Sequence, residues 1–150
     1  MTDILSALKF ANESGLILDE IQHGLVSFLF CLFLYTKTKS LKYSVIPLLV
    51  TYVMDLDHWV DYLLYYGFDI NITRFLGGEY FHVTKRAVVP LHAWEWCLAL
   101  GYWVYREKMW KSYKAAVALG IMSHLIWDTY RIGNPLFYSM IYRIYHDFIV

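Results

Sequence analysis

Four long apolar stretches, each interrupted by a few ionisable residues, dominate the pattern of this chain. They cover residues 16–35, 41–66, 87–105 and 113–130. A run of about 20 apolar residues is long enough to cross a bilayer as a helix. The pattern therefore predicts an all-α fold, an integral membrane four-helix bundle formed by a single transmembrane domain, residues 1–150.

Shorter segments flank and join these predicted spans. Residues 1–15 can place apolar side chains on one helical face and lack the basic start of a signal peptide, so they predict a short interfacial helix. A second, aromatic interfacial helix is predicted near the C-terminus, after the helix break at Asn134-Pro135. The polar stretch 67–86 predicts a loop with a turn at Gly77-Gly78.

Composition agrees with a membrane location. The 150 residues are 59% hydrophobic, 19% aromatic and 17% charged, whereas soluble domains carry about 25% charged residues. Aromatic residues are typical of the interfacial belts of membrane proteins. The formal net charge is zero, so the chain offers no basic face to nucleic acid. The expected partners are membrane lipids rather than nucleic acid.

Basic residues lie in and beside the first and third connections between spans. They are Lys37, Lys39, Lys42, Arg106, Lys108, Lys111 and Lys114. Connections rich in Lys and Arg stay on the cytoplasmic side of a membrane. Both termini are therefore predicted to lie outside.

Ionisable residues within the spans fall in pairs on one helix face. An ionisable side chain in hydrocarbon costs roughly 2.5–3.5 kcal/mol on insertion scales, so these residues need partners. The pairs, spaced i,i+3 or i,i+4, are Asp55 with His58, Asp57 with Asp61, His92 with Glu95, and His124 with Asp128. With a rise of about 1.5 Å per residue, these pairs and His23 reach one layer of the outer leaflet.

Carboxylates and neutral imidazoles in one buried layer are typical ligands of a divalent cation. We therefore predict a metal site built, in some combination, from seven residues: His23, Asp55, Asp57, His58, His92, His124 and Asp128. The lack of thiolates among them favours Zn²⁺, with Mn²⁺ or Fe²⁺ as alternatives, and the number of donors allows one or two ions. The simplest alternative is a polar network that joins helices, although such networks usually consist of Ser, Thr, Asn or Gln.

Two motifs resemble those of small bacterial and archaeal membrane-bound metal-dependent hydrolases. Residues 54–58 (MDLDH) fit the Pro-Asp-x-Asp-His motif of that family, with Met in place of Pro, and residues 123–128 (SHLIWD) fit its Ser-His-x-x-x-Asp motif in the last span. His23 fits a histidine near the start of the family's first span, and His92 fits a third histidine. The resemblance covers about residues 20–135.

The resemblance implies hydrolysis of a phosphoester or similar ester bond in a lipid or lipid-linked substrate, at the outer leaflet of a bacterial inner membrane or an archaeal cell membrane. The family's His-Arg-Gly triplet is absent, since His82 and Arg86 lie upstream at another spacing. We expect the metal to activate water, Glu95, one turn from His92, to act as general base, and Arg86 to hold a phosphate.

Other classes of function remain open at this point. A non-catalytic protein could use the metal as a structural staple. An ion or proton carrier would place carboxylates through the whole membrane depth, whereas the inner halves of the predicted spans carry none. A bis-histidine haem site would not crowd its histidines with carboxylates.

Overall fold

The computed structural model describes residues 16–149, and the regular structure in that range is helical. The α-helices are α1 (Leu16–Thr38), α2 (Leu41–Ser44), α3 (Ile46–Met54), α4 (His58–Tyr66), α5 (Ile72–Gly77), α6 (Glu79–Thr84), α7 (Trp94–Glu107), α8 (Tyr113–Ile132) and α9 (Met140–Tyr145). Short 3₁₀ helices cover Asp55–Asp57 and Pro135–Tyr138. The predicted all-α class is confirmed, while the interfacial helix predicted for residues 1–15 lies outside the described residues.

Helix α8 is the centre of the bundle and packs against α1, α3 and α7. It approaches α3 closely at Gly120, where a Cβ atom would lie 2.6 Å from Val50 Cβ and 2.9 Å from the Pro47 carbonyl oxygen. One turn along, the hydroxyls of Thr51 and Ser123 lie 3.1 Å apart, both fully buried. The missing side chain of a glycine thus sets the distance between the two helices.

The chain over residues 41–66 is helical but is not one continuous helix. Helix α2 ends at Ser44, and Pro47 lies in the first turn of α3, where its missing N–H is tolerated. The 3₁₀ helix Asp55–Asp57 then separates α3 from α4. This tighter turn changes the directions of the side chains that the sequence pattern placed on a regular α-helix.

The helix predicted from residue 87 begins only at Trp94. Residues 87–93 are extended or in turns, because Pro90 interrupts the helix and side chains from elsewhere bind the backbone of this segment. Helix α7 has 14 residues and is about 21 Å long.

The stretch predicted as a loop, residues 67–86, forms the short helices α5 and α6. Asn71 caps α5 by accepting a hydrogen bond from Arg74 N at 3.0 Å. Gly78, with φ of +60°, joins the two helices at the predicted turn. We refer to α5, Gly78 and α6 as the α5–α6 hairpin.

Among residues 16–149, α1 is the one helix long and apolar enough to cross a membrane by length and composition alone. It has 23 residues, and 17% of its apolar window is buried within the protein. A membrane bundle of four spans therefore remains a prediction.

Candidate metal centre

Four side-chain donor atoms converge at the end of the bundle where α1 begins and α8 ends. The Nε2 atoms of His92 and His124 lie 2.9 Å apart. Asp55 Oδ1 is 3.6 and 3.5 Å from these two nitrogens, and Asp128 Oδ2 is 3.6 and 3.2 Å from them. Donors bound to one tetrahedral zinc at about 2.1 Å lie about 3.4 Å from one another. These five separations therefore fit a single ion.

The cluster extends to a histidine on either side. Its members form two groups of three whose donor atoms could hold a metal ion, namely His23, His124 and Asp128 in one and Asp55, His58 and His92 in the other. His23 Nε2 is 2.8 Å from Asp128 Oδ1, and His58 Nε2 is 3.5 Å from Asp55 Oδ1. Six of the seven predicted ligands are thus brought together.

The surroundings of His23 bear on whether a cation fits. Its Nδ1 lies 3.0 Å from the carbonyl oxygen of Asp19, which can only accept, so Nδ1 carries a proton. Its Nε2 faces a carboxylate oxygen of Asp128 at 2.8 Å, and two facing lone pairs would repel each other. Either a second proton on the ring, which gives an imidazolium–carboxylate pair, or a metal ion between the two atoms removes this repulsion. The geometry therefore fits a metal ion and an ion pair equally.

Asp57, the seventh predicted ligand, lies behind His92 rather than beside the converging donors. Its Oδ2 accepts hydrogen bonds from the backbone N–H groups of Leu91 at 2.6 Å and His92 at 3.3 Å. Its Oδ1 lies 3.0 Å from His92 Nδ1, although the contact falls short of hydrogen-bond geometry. Carboxylates in this position orient a metal-binding histidine.

The segment that carries His92 is held by two further buried side chains. Asp61 accepts hydrogen bonds from the N–H groups of Val88 and Val89 at 2.7 and 3.0 Å. From α9, the Arg143 guanidinium donates to the carbonyls of Val88, Val89 and His92 at 2.9, 3.1 and 2.6 Å. Arg143 is only 1% exposed. No sequence pattern assigned Arg143 to the site. The one indication was that it is the single cation in the aromatic segment 135–150.

The two residues predicted as catalytic lie elsewhere. Glu95 caps the start of α9, since its carboxylate accepts hydrogen bonds from Ser139 Oγ at 2.6 Å, Met140 N at 3.0 Å and Ile141 N at 3.1 Å. Arg86 is exposed, and its backbone forms an isolated bridge with Ile149. Neither side chain contacts the donor atoms within the described part of the chain, so the structure corrects the expectation that they adjoin the metal.

A cleft of about 460 Å³ opens over the cluster, between α1 and the α5–α6 hairpin. Its lining combines donor residues with hairpin residues: Leu16, Asp19, Glu20, His23, Asp55, His58, Phe75, Leu76, Gly77, Gly78, Tyr80, Phe81, His82 and Asp128. Glu20, which no sequence pattern assigned to the site, is one of the lining residues. His82, which is exposed, lies over the cluster as part of the hairpin.

A smaller cavity of about 200 Å³ reaches the cluster from the side of the second 3₁₀ helix. Tyr138 lines it together with His58, His92 and Asp128. Burial raises the pKa of the Tyr138 phenol, and the neighbouring charge of Asp128 raises it further. Tyr138 therefore keeps its proton at neutral pH and can donate a hydrogen bond.

Comparison of the chain with protein-family models, curated proteins and solved structures finds no match.

Proposed function

We propose that this protein is a membrane-embedded metal-dependent hydrolase that cleaves a phosphoester or similar ester bond of a lipid or lipid-linked substrate at the outer leaflet. The observation that carries the proposal is the set of five donor separations between 2.9 and 3.6 Å. Two of the donor residues, Asp55 and Asp128, line the cleft. The resemblance of the two Asp/His motifs to small membrane-bound hydrolases supports the same reaction class.

In this proposal Asp55, His92, His124 and Asp128 hold the metal, with His23 and His58 completing the site or binding a second ion. Zn²⁺ is the expected ion, with Mn²⁺ or Fe²⁺ as alternatives, and it would lower the pKa of a coordinated water and polarise the scissile group.

Two further residues supply proton-handling groups beside the donors. Glu20 places a carboxylate in the cleft and replaces Glu95 as the general-base candidate. Tyr138 offers a protonated phenol on the other side of the cluster.

The membrane location is supported by the distribution of apolar side chains over the surface. Large hydrophobic residues are exposed along α1, α3, α4 and α7, including Leu18, Leu25, Phe28, Leu29, Leu49, Val53, Leu64, Leu98, Tyr102 and Trp103. Monomeric soluble proteins rarely expose apolar patches larger than a few hundred Å². The most buried side chains, in contrast, include His92, His124 and Arg143.

The helix lengths are compatible with four spans despite the breaks. Residues 46–66, through the 3₁₀ turn, extend about 31 Å at helical rise, close to the hydrocarbon thickness of about 30 Å. Helix α7 is shorter, but the non-helical residues 87–93 that precede it are bound by Asp57, Asp61 and Arg143. Irregular backbone is tolerated at membrane depth when protein groups satisfy it.

The cleft suits an amphiphilic substrate. Its metal-facing wall carries carboxylates and imidazoles, while Leu16, Phe75, Leu76 and Phe81 make the opposite side apolar. The basic connections lie at the other ends of α1 and α8, so the positive-inside rule assigns the cleft to the outer leaflet.

Elemental analysis of detergent-purified protein tests the proposal. We expect one or two equivalents of zinc, manganese or iron in the parent protein and none in the His124→Ala, Asp128→Ala double variant. The matched control is His146→Ala, Asp147→Ala, which changes an exposed His and Asp outside the cluster and should keep the metal. Metal-loaded parent protein should then hydrolyse phospholipid or chromogenic phosphodiester probes. No metal in parent protein purified without chelator would contradict the proposal.

A structural metal site is the second candidate, and the position of Glu95 favours it. Glu95 is committed to capping α9, and Arg86 is remote from the donors, so neither predicted catalytic group adjoins the cluster. A structural role predicts full metal content, a strong loss of thermal stability on metal removal, and no hydrolysis of any ester probe.

A further inference from the structure

A third cavity, unrelated to the metal centre, lies between α7 and α8 toward the basic end of the bundle. Its volume is about 430 Å³. The lining is almost entirely apolar and consists of Cys97, Gly101, Val104, Tyr105, Lys108, Trp110, Ala115, Ala118, Leu119 and Met122. We call it the α7–α8 groove. From residue 97 to residue 108 it follows α7 for about 16 Å.

The α7–α8 groove is open at Gly101 of α7. A Cβ atom on Gly101 would meet no other atom within 4 Å, whereas one on Gly120 would collide with α3. The glycine of α7 therefore faces open space, and small residues on α8, Ala115 and Ala118, form the opposite wall. This elongated apolar space has the shape required for a single hydrocarbon chain.

One end of the groove carries an unpaired positive charge. Lys108, which lines it, has no carboxylate partner among residues 16–149, whereas Lys114 is paired with Glu107. Tyr105 and Trp110 lie at the same end, and aromatic residues of this type mark the level of lipid headgroups. A ligand with an apolar chain and an anionic head matches this arrangement.

We propose that the α7–α8 groove binds one anionic phospholipid of the leaflet that contacts the basic connections, with an acyl chain in the groove and the phosphate at Lys108. The proposal rests on the membrane location given above but is independent of the metal and of catalysis. The lipid is a bound ligand and not the substrate, because the groove and the cleft lie at opposite ends of α8.

Native mass spectrometry of the full-length protein in detergent tests this site. Phosphatidylglycerol and phosphatidylcholine with identical acyl chains are the probes. We expect one phosphatidylglycerol to bind, roughly fivefold more tightly than phosphatidylcholine, which is the gain expected for one lysine beside an anionic lipid. Both lipids carry a phosphate, but the choline ammonium cancels its charge in phosphatidylcholine. Lys108→Gln should remove this preference, and Lys37→Gln, a change in the last turn of α1, should preserve it.

Gly101→Leu fills the groove and should abolish tight binding of both lipids, while Tyr102→Leu, an exposed change outside the groove on the same helix, should not. Equal affinity for the two lipids, or unchanged binding in Gly101→Leu, would overturn the proposal. A dimer that Gly101→Leu dissociates would overturn it in favour of a second copy of the chain. Metal content is measured in the same samples to distinguish failure of the lipid site from failure of the proposed hydrolase function. Absence of metal with intact lipid binding contradicts the hydrolase function alone.

Discussion

The carboxylates of the second predicted span divide into two kinds according to what they face. Asp55 points an oxygen at the imidazole nitrogens of His92 and His124, while Asp57 and Asp61 bind backbone N–H groups of residues 88–92. Chemically identical side chains, two to six residues apart, thus serve as donor and as support.

The division can be tested by replacing the two carboxylates separately. Asp57→Asn keeps the hydrogen-bonding shape but weakens the support of His92, so metal affinity should fall by about 10–100-fold without being lost. Asp55→Asn should abolish stoichiometric binding. Both are measured by competition with a chromogenic chelator. Asp69→Asn, which changes an exposed carboxylate paired with Arg74, is the control. Equal losses for Asp55 and Asp57 would make both residues direct ligands.

Sequence spacing could identify the donor residues but not their roles. The pairs at i,i+3 and i,i+4 correctly grouped Asp55 with His58 and His124 with Asp128, because neighbours on a helix face stay neighbours in the fold. The positions of Asp57 and Glu95 depend on backbone groups more than 30 residues away in the chain. No local pattern encodes these contacts, and Arg143 went unnoticed for the same reason.

At the scale of elements, the crossing of α3 and α8 determines whether the donor groups meet. Gly120→Ala would insert a methyl group 2.6 Å from Val50 Cβ, and overpacking of this kind costs about 1–3 kcal/mol. We expect a lower thermal midpoint in detergent. Gly101→Ala is the control, since its added Cβ meets nothing and improves helix propensity. A stability of Gly120→Ala equal to that of Gly101→Ala would show that the crossing tolerates a larger separation.

Helix α9 positions His92 through Arg143. Burial lowers the pKa of the Arg143 guanidinium, and the charges of Asp57, Glu95 and Asp61 oppose this shift. Arg143→Met removes three hydrogen bonds to residues 88–92 while keeping an apolar stem in the core.

Metal affinity should therefore fall at least tenfold in Arg143→Met, because buried hydrogen bonds to a charged group contribute about 1.5–3 kcal/mol each. Arg106→Met, at an exposed position in the last turn of α7, should leave it unchanged. Metal titration at a temperature where both variants are fully folded distinguishes two causes of weak binding. It separates a misplaced His92 from a loss of folding stability. Parent-like affinity in Arg143→Met would show that Asp57 and Asp61 suffice to hold the segment.

The sequence predicted the number and order of the main helices better than their ends. Hydropathy alone makes residues 41–66 and 87–105 look continuous, because every interrupting group is flanked by apolar residues. The actual break at 55–57 and the late start at Trp94 are stabilised by side chains from other elements. Pro90 was the one local sign of the late start of α7.

At the scale of the whole molecule, many large apolar side chains are exposed while a group of ionisable side chains is buried. The Leu25→Lys, Leu29→Lys variant of α1 tests whether the exposed apolar surface contacts lipid, since both leucines are 63% exposed. In a bilayer each lysine costs roughly 2.5–3.5 kcal/mol, so the carbonate-resistant membrane fraction should fall sharply. The Leu25→Phe, Leu29→Phe variant should insert normally. Unchanged membrane association of the lysine variant would place this face of α1 in water.

The clamp of Arg143 on the segment of His92 also sets an order of events during biosynthesis. His23, Asp55 and His58 are synthesised before His92, and the guanidinium of Arg143, which binds the His92 carbonyl, follows 51 residues later. In the proposed metal centre, the donor set is therefore fully positioned only after α9 has been made. High-affinity metal binding would then be a late step of folding.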